Sequence, residues 1–401
     1  MHFTTSALGA CALLSLVSAA PLVARENTHK IDTVEDWPAF PSGLFPSVSG
    51  LFPPSPTGLF PSSSSSTPVT FPLPNGFPNI QDPSSALTTI EEAAHGTLPN
   101  GAPPPSLNAD DATSLQLIAF NELFEVFFFT ELLQNVSNNV QGYQVWDPIV
   151  RQQLIAELTA VVAQEELHAL NANGALAHFG AQTIQPGKYH AGVSDLQSAL
   201  TKASTFTDLV LGTLQDVIVK LGVNGDAALS RGIASVVGQE GEQNGYFRSL
   251  LGKLPSSLPF LTASTREFAF SALNQNSVTP GSSPGSSSIN LPVFGPLNIL
   301  TQDIAAADQT LQFSFAPTSN ATSANGLSLV YINQQNDPLI LALSNVTDTN
   351  KEITFSAAFP YSSHELNGLT IAVLTRGSGP FDGVDDVAKA TVFGPGLILV
   401  N

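Results

Sequence analysis

The chain has 401 residues, 43% of them hydrophobic, with 13 basic against 32 acidic side chains and a net charge of −19. This length and composition fit an acidic globular protein with more than one structural region. The charge excludes binding to the nucleic-acid phosphate backbone and disfavours docking on an anionic membrane surface.

Residues 1–20 read as a secretory signal peptide, because a mostly apolar run from Ala7 to Val17 precedes the small residues Ser18, Ala19 and Ala20. The run is too short to span a bilayer, and no later uninterrupted apolar stretch reaches transmembrane length. No membrane span is therefore expected, and the mature protein is expected outside the cell or in the cell wall. The only cysteine, Cys11, lies in this leader, so the mature chain is expected to have no disulfide, thiolate metal site or cysteine nucleophile.

Residues 21–107 are rich in Pro, Ser and Gly and repeat Gly-Leu-Phe-Pro from Gly43, Gly50 and Gly58. That composition predicts a disordered or extended stalk. Its spaced Phe45, Phe52 and Phe60 read either as wall-binding anchors or as parts of a plain linker. At Asn108-Ala109-Asp110-Asp111 the texture changes to a capping-type start and a stretch without Pro or Gly, which predicts a helix to Asn135 and beyond. A second helix is predicted over 148–179, with Asp147 as cap and Pro148 in the first turn. A third is expected over 194–221, ended by Gly222, and a fourth over 226–254, stopped at Pro255. A shorter one fits 262–274. Together they define a helical region over 108–277, followed by a Pro/Gly/Ser linker over 278–289.

From residue 290 the period changes. Short β-branched or aromatic segments (311–315, 327–332, 339–343, 353–355, 369–374 and 397–400) are bounded by Gly, Pro and Asn, which predicts a small β-sandwich-like domain over 290–401. Asn135, Asn320 and Asn345 each begin an Asn-x-Ser/Thr sequon and are candidate N-glycan sites, although Asn135, inside a predicted helix, reads better as an unused one.

The heptad stripes of the long helices are interrupted by polar residues. In the first, Glu122 and Glu125 stand between Ile118 and Phe129; in the second, Glu165 and His168 stand between Val161 and Ala172; in the fourth, Glu240 and Gln243 stand between Val236 and Phe247. The third stripe, Leu211, Gln215 and Ile218, is weaker. Such interruptions, including a Glu-x-x-His pair, are expected of a carboxylate-bridged two-metal helical bundle. Hard oxygen and imidazole ligands suit iron or manganese. Without cations, buried carboxylates would repel one another and take up protons.

The runs Phe120-Asn121-Glu122-Leu123-Phe124-Glu125, Gln164-Glu165-Glu166-Leu167-His168 and Gly238-Gln239-Glu240-Gly241-Glu242-Gln243-Asn244-Gly245-Tyr246-Phe247-Arg248 resemble the secreted ferritin-like proteins of filamentous fungi. That family is described as late sexual development or stress-response proteins. The resemblance covers about residues 85–401. It implies a mainly α fold, a ferritin-like four-helix bundle followed by the small C-terminal β-sandwich-like domain, and a fungal source. Carried over residue by residue, it makes Glu122 the first-helix ligand, Glu165 and His168 the second-helix pair, and Glu240 the fourth-helix carboxylate. Gln215 then stands where a third-helix Glu would be, and Gln243 where a second His would be. An amide is a poor iron ligand but a good hydrogen-bond partner for a carboxyl group.

Two functional readings follow. One is a secreted or cell-wall-associated glycoprotein with a degenerate two-metal site, partnered by wall polysaccharide or another secreted protein. The other is a metal-dependent oxidase or iron-handling protein in which Glu122, Glu165, His168 and Glu240 hold iron; Glu125 is a further candidate ligand, and Gln215 and Gln243 are amides expected to line the site. The sequence has no nucleophile-elbow Gly-x-Ser-x-Gly, phosphate loop or dinucleotide fingerprint, which argues against hydrolase and nucleotide-binding functions.

Overall fold

The computed structural model describes residues 68–401 apart from Asn320 and Asn350. The leader, the Gly-Leu-Phe-Pro repeats and the Asn320 sequon lie outside the described residues. Within them the architecture is mixed helix and sheet, with eight α-helices and two antiparallel four-stranded sheets.

The long helices are α2 (Ala109–Ser137), α3 (Pro148–His178), α4 (Leu196–Asn224) and α5 (Ser230–Leu250), and short α1 (Ser85–Ala94) and α6 (Arg266–Asn276) flank them. Their starts are set by side-chain caps. Asn108 accepts from the Asp110 amide, Asp147 from those of Ile149 and Val150, and Asp195 forms a reciprocal capping box with Ser198. The third predicted helix runs on past Gly222 and stops at Gly225, whose φ of 93° places it in the left-handed region. The fourth begins later than expected, after a short 3₁₀ turn over Ala227–Leu229.

α2 is buried almost all round because it is apolar almost all round. By length and composition it could cross a membrane, yet nearly all of that stretch is covered by protein. Its phenylalanines anchor the helical core: Phe128 meets Phe206 edge-on at 5.2 Å, and Phe129 stacks on Phe247 at 5.4 Å.

The stalk expected over 21–107 does not extend through its last part. Leu73 and Phe77 are buried in the helical core, and Leu87 and Ile90 of α1 pack on Ala163 and Leu167 of α3. Asn75 Nδ2 donates to both oxygens of the buried Glu166, at 2.8 and 2.9 Å. A few well-placed apolar side chains here outweigh a Pro-rich average composition. The expected linker is likewise bound to the helices: the Gln185 amide donates to the Pro284 carbonyl at 2.9 Å, and Ile289 is buried in the helical core.

The strands are β1 (Asn298–Ile299), β2 (Gln309–Phe315), β3 (Leu327–Asn333), β4 (Leu339–Leu341), β5 (Ser344–Asp348), β6 (Ile353–Phe359), β7 (Gly368–Arg376) and β8 (Thr391–Val400), with α7 (Tyr361–His364) and α8 (Val384–Ala390) between them. They form the sheets β1-β2-β6-β5 and β4-β3-β7-β8. Phe313, Phe315, Tyr331, Phe355, Phe359 and Phe393 fill one core between the two sheets. The other face of the second sheet is also covered: Val330, Ile332, Ile371 and Val373 pack with Leu209 of α4 and Phe268 of α6. That two-sided burial explains why β3 and β7 read as continuous apolar runs instead of alternating ones. The β region is thus continuous with the helices through a shared core.

The glycine that allows close approach to the helical layer is Gly212 in α4, where an added Cβ would run into the Thr262 carbonyl oxygen and lie 3.1 Å from the Ser264 amide nitrogen. Gly212→Ala is therefore expected to cost about 1–3 kcal/mol, read as a lower melting temperature. Gly238 and Gly241 of α5, by contrast, have nothing within 4 Å of such a Cβ, and at Gly245 the nearest atom is Pro255 Cβ at 3.5 Å.

Candidate metal centre

Three of the long helices bring their polar interruptions together. Glu122 from α2, Glu165 and His168 from α3 and Glu240 from α5 each offer a ligand atom, all lying within 4.8 Å of one another. His168 Nδ1 lies 2.8 Å from Glu165 Oε2, 3.6 Å from Glu122 Oε2 and 4.0 Å from Glu240 Oε1. The three carboxyls are at most 1% exposed.

Buried carboxylates normally find donors. Here Glu122 Oε2 and both oxygens of Glu240 have no hydrogen-bond partner among the described residues. A divalent cation with ligand bonds of about 2.1 Å holds opposing ligand atoms about 4.2 Å apart, close to the spacing of this cluster. The cluster can hold a metal ion: three carboxylates supply hard, anionic ligands and His168 an imidazole, and Glu122 Oε2 and the Glu240 oxygens are the ones left without protein partners among the described residues.

In the metal-free protein these groups compete for protons. Burial, reinforced by the neighbouring carboxylates, holds Glu240 and Glu125 well above the usual carboxylate range. Burial also pushes Glu122 up to about 7, against the opposing pull of His168. For Glu165 burial acts upward too, but the His168 charge and hydrogen bonds from His168 and Gln243 outweigh it and hold the group low. Burial lowers His168, but Glu165 and Glu122 overcome this and hold its imidazole well above the ordinary value. The favoured metal-free state is therefore a His168–Glu165 ion pair beside protonated carboxyls.

Glu125 is buried beside the cluster but outside the ligand set, with its Oε1 accepting from Asn121 Nδ2 at 3.0 Å. Gln243 lies at the site as expected. Its Nε2 donates to Glu165 Oε1 at 2.7 Å and to Gln164 Oε1 at 3.0 Å, and Gln239 Nε2 also donates to Gln164 Oε1. The amide thus occupies the oxygen of Glu165 that faces away from His168.

Gln215 does not line the site. It accepts from Gln335 Nε2, after β3, at 2.8 Å, while the adjacent Asp216 accepts from the Arg266 amide and pairs with Lys220 at 3.1 Å. The stripe through Leu211, Gln215 and Ile218 is out of phase by one residue. The α4 side chains in the helical core are Leu196, Ala199, Leu200, Ala203, Val210, Leu214, Val217 and Leu221, and Val210 and Leu214 share a small cavity with Glu122. α4 therefore contributes an apolar wall and no ligand.

Arg248, at the end of the α5 run, donates to the backbone oxygens of Leu254 and Asn401, both at 2.8 Å, and to no carboxylate of the site. The glycan reading fails for Asn135, which is 5% exposed within α2, whereas Asn345 is exposed in β5. Buried groups that helical periodicity did not reveal are Glu166, held by Asn75, and Asp208, which accepts from Asn244 Nδ2 at 2.7 Å. No protein-family model and no curated protein matches the chain.

Proposed function

We propose that this is a secreted ferritin-like protein whose long helices hold a single transition-metal ion, iron or manganese, in a site reduced from a two-metal one. The partnerless oxygens of buried Glu240 carry the reading, since Glu165 accepts from Gln243 and Glu125 from Asn121, whereas Glu240 accepts from no protein group among the described residues. An apolar α4 wall and an amide at Gln243 remove the ligands that a second ion would need. The sequence resemblance supports a wall-associated setting, with wall polysaccharide or another secreted protein as partner, and a role in sexual development or stress response.

In this reading Gln243 fixes one oxygen of Glu165, and the other oxygen, which pairs with His168 in the metal-free protein, would turn to the ion together with the His168 imidazole. Gln243 orients a first-rank ligand from behind, as supporting hydrogen bonds do at metal sites. A bound iron or manganese ion would supply Lewis acidity and one-electron redox chemistry. The small cavity shared by Glu122, Val210 and Leu214 leaves a side without protein ligands, which supports the second reading, a metal-dependent oxidase or iron-handling protein.

Elemental analysis of the mature protein, purified without chelator, should find about one iron or manganese per chain, and none in a folded Glu165→Ala variant. A wild type that stays metal-free after incubation with either ion would leave a structural glycoprotein whose carboxyls are held by protons and Gln243.

A further inference from the structure

A second site lies apart from the metal centre and shares no residue with it. Between α4, α5 and the loop joining α5 to α6 is a cleft of about 570 Å³, within the size range of small-molecule sites. Asp208 lines it although its residue is 4% exposed. One of its oxygens accepts from Asn244 Nδ2 at 2.7 Å, and Asn244 in turn accepts from Ser204 at 2.7 Å, so the carboxylate is fixed in orientation. Its other oxygen, Oδ2, is buried without a partner among the described residues. A buried acceptor of this kind calls for a donor.

The charges around it set the class of that donor. Arg248 and Lys253 lie close enough for their charges to act on Asp208. The cleft itself is lined by two carboxylates, Asp208 and Glu242, the first of which already has these two cations near it. Arg248 Nη1 is likewise buried without a partner among the described residues, so the unmet demand is for a donor at Asp208 and an acceptor at Arg248, both of which a hydroxyl supplies. Tyr246, Leu211, Leu258 and Leu261 supply aromatic and apolar walls, while Ser256 and Ser257 add hydroxyls at the same cleft. Ring hydroxyls facing carboxylates, with C–H faces against an aromatic ring and aliphatic side chains, suit a sugar. The absence of a side chain at Gly241 keeps this wall open, since a Cβ there would meet nothing within 4 Å.

We propose that this cleft binds a neutral polyhydroxylated ligand, a mono- or disaccharide, with Asp208 Oδ2 accepting from a ring hydroxyl.

Saturation-transfer NMR on the full mature protein tests this with glucose, cellobiose, N-acetylglucosamine and chitobiose, and with glucosamine as the cationic control. At least one neutral sugar should bind, with a dissociation constant on the order of 1 mM. Gly241→Leu fills the cleft from an open helix position, and Asp208→Asn removes the charge while keeping the shape. Each should weaken binding at least about tenfold, with the circular dichroism melt of Gly241→Leu close to that of wild type. A trisaccharide that binds tighter than the disaccharide would identify the end of a polysaccharide as the source, and equal binding a free sugar. The proposal is overturned if no neutral sugar gives saturation transfer, if Gly241→Leu binds as wild type does, or if glucosamine binds more than about tenfold tighter than glucose.

Discussion

Replacing Glu240 with Met is expected to stabilise the metal-free protein while abolishing its metal binding. Both oxygens of this carboxyl are buried without a partner, and neighbouring carboxylates as well as burial disfavour its charge. A buried polar group left without a partner costs about 1–3 kcal/mol, which an apolar side chain of similar volume removes. In a chain of this size each kcal/mol raises the melting temperature by about 1–2 °C. Loss of one of four ligands should lower affinity for manganese or iron by at least about 100-fold, or about 2.8 kcal/mol. Calorimetric melts with and without metal distinguish this from a structural role: a variant less stable than wild type without metal would mean that protein contacts, and not an ion, hold Glu240.

The helices and their interruptions were legible because local chemistry fixes them. Asn108, Asp147 and Pro148 mark starts that side-chain hydrogen bonds then make, and the stripes through α2, α3 and α5 each have one clear polar break. α4 misled for a physical reason. It is buried toward the other helices through Val210 and Leu214, toward the sheet through Leu209, and toward the α5–α6 loop at Gly212. A helix apolar on several faces does not define its own phase, so Gln215 was assigned to the wrong side. The same two-sided burial was readable in β3 and β7, whose unbroken apolar runs mark strands covered on both faces, but nothing local says what covers them. Residues 68–107 escaped because Pro and Ser content describes an average, whereas Leu73, Asn75 and Phe77 act one at a time.

Acid should stabilise the metal-free protein, and metal should offset the loss of stability at higher pH. An unfolded glutamate titrates near 4.5, whereas burial raises folded Glu122 to about 7, and burial with the neighbouring carboxylates holds Glu125 and Glu240 well above 4.5. Between those values the folded chain keeps protons that the unfolded chain has lost. Stability therefore falls as pH rises, by about 1.4 kcal/mol per pH unit for each carboxyl within its window. His168 acts in the same direction. Its folded value exceeds the ordinary 6.5, so its contribution is complete below that pH and is lost as pH rises through the folded value. Glu165, held low, opposes this only in acid, where its contribution disappears as pH falls through its depressed value. Melts of the chelated protein should therefore be highest near pH 5 and decline toward pH 8. A bound cation takes the place of the protons on these groups and releases them to solvent, so manganese or iron should raise the melting temperature most at the alkaline end. A chelated protein whose melting temperature climbs from pH 5 to pH 8 would show that these carboxyls are not buried together, and the metal reading would fail with it.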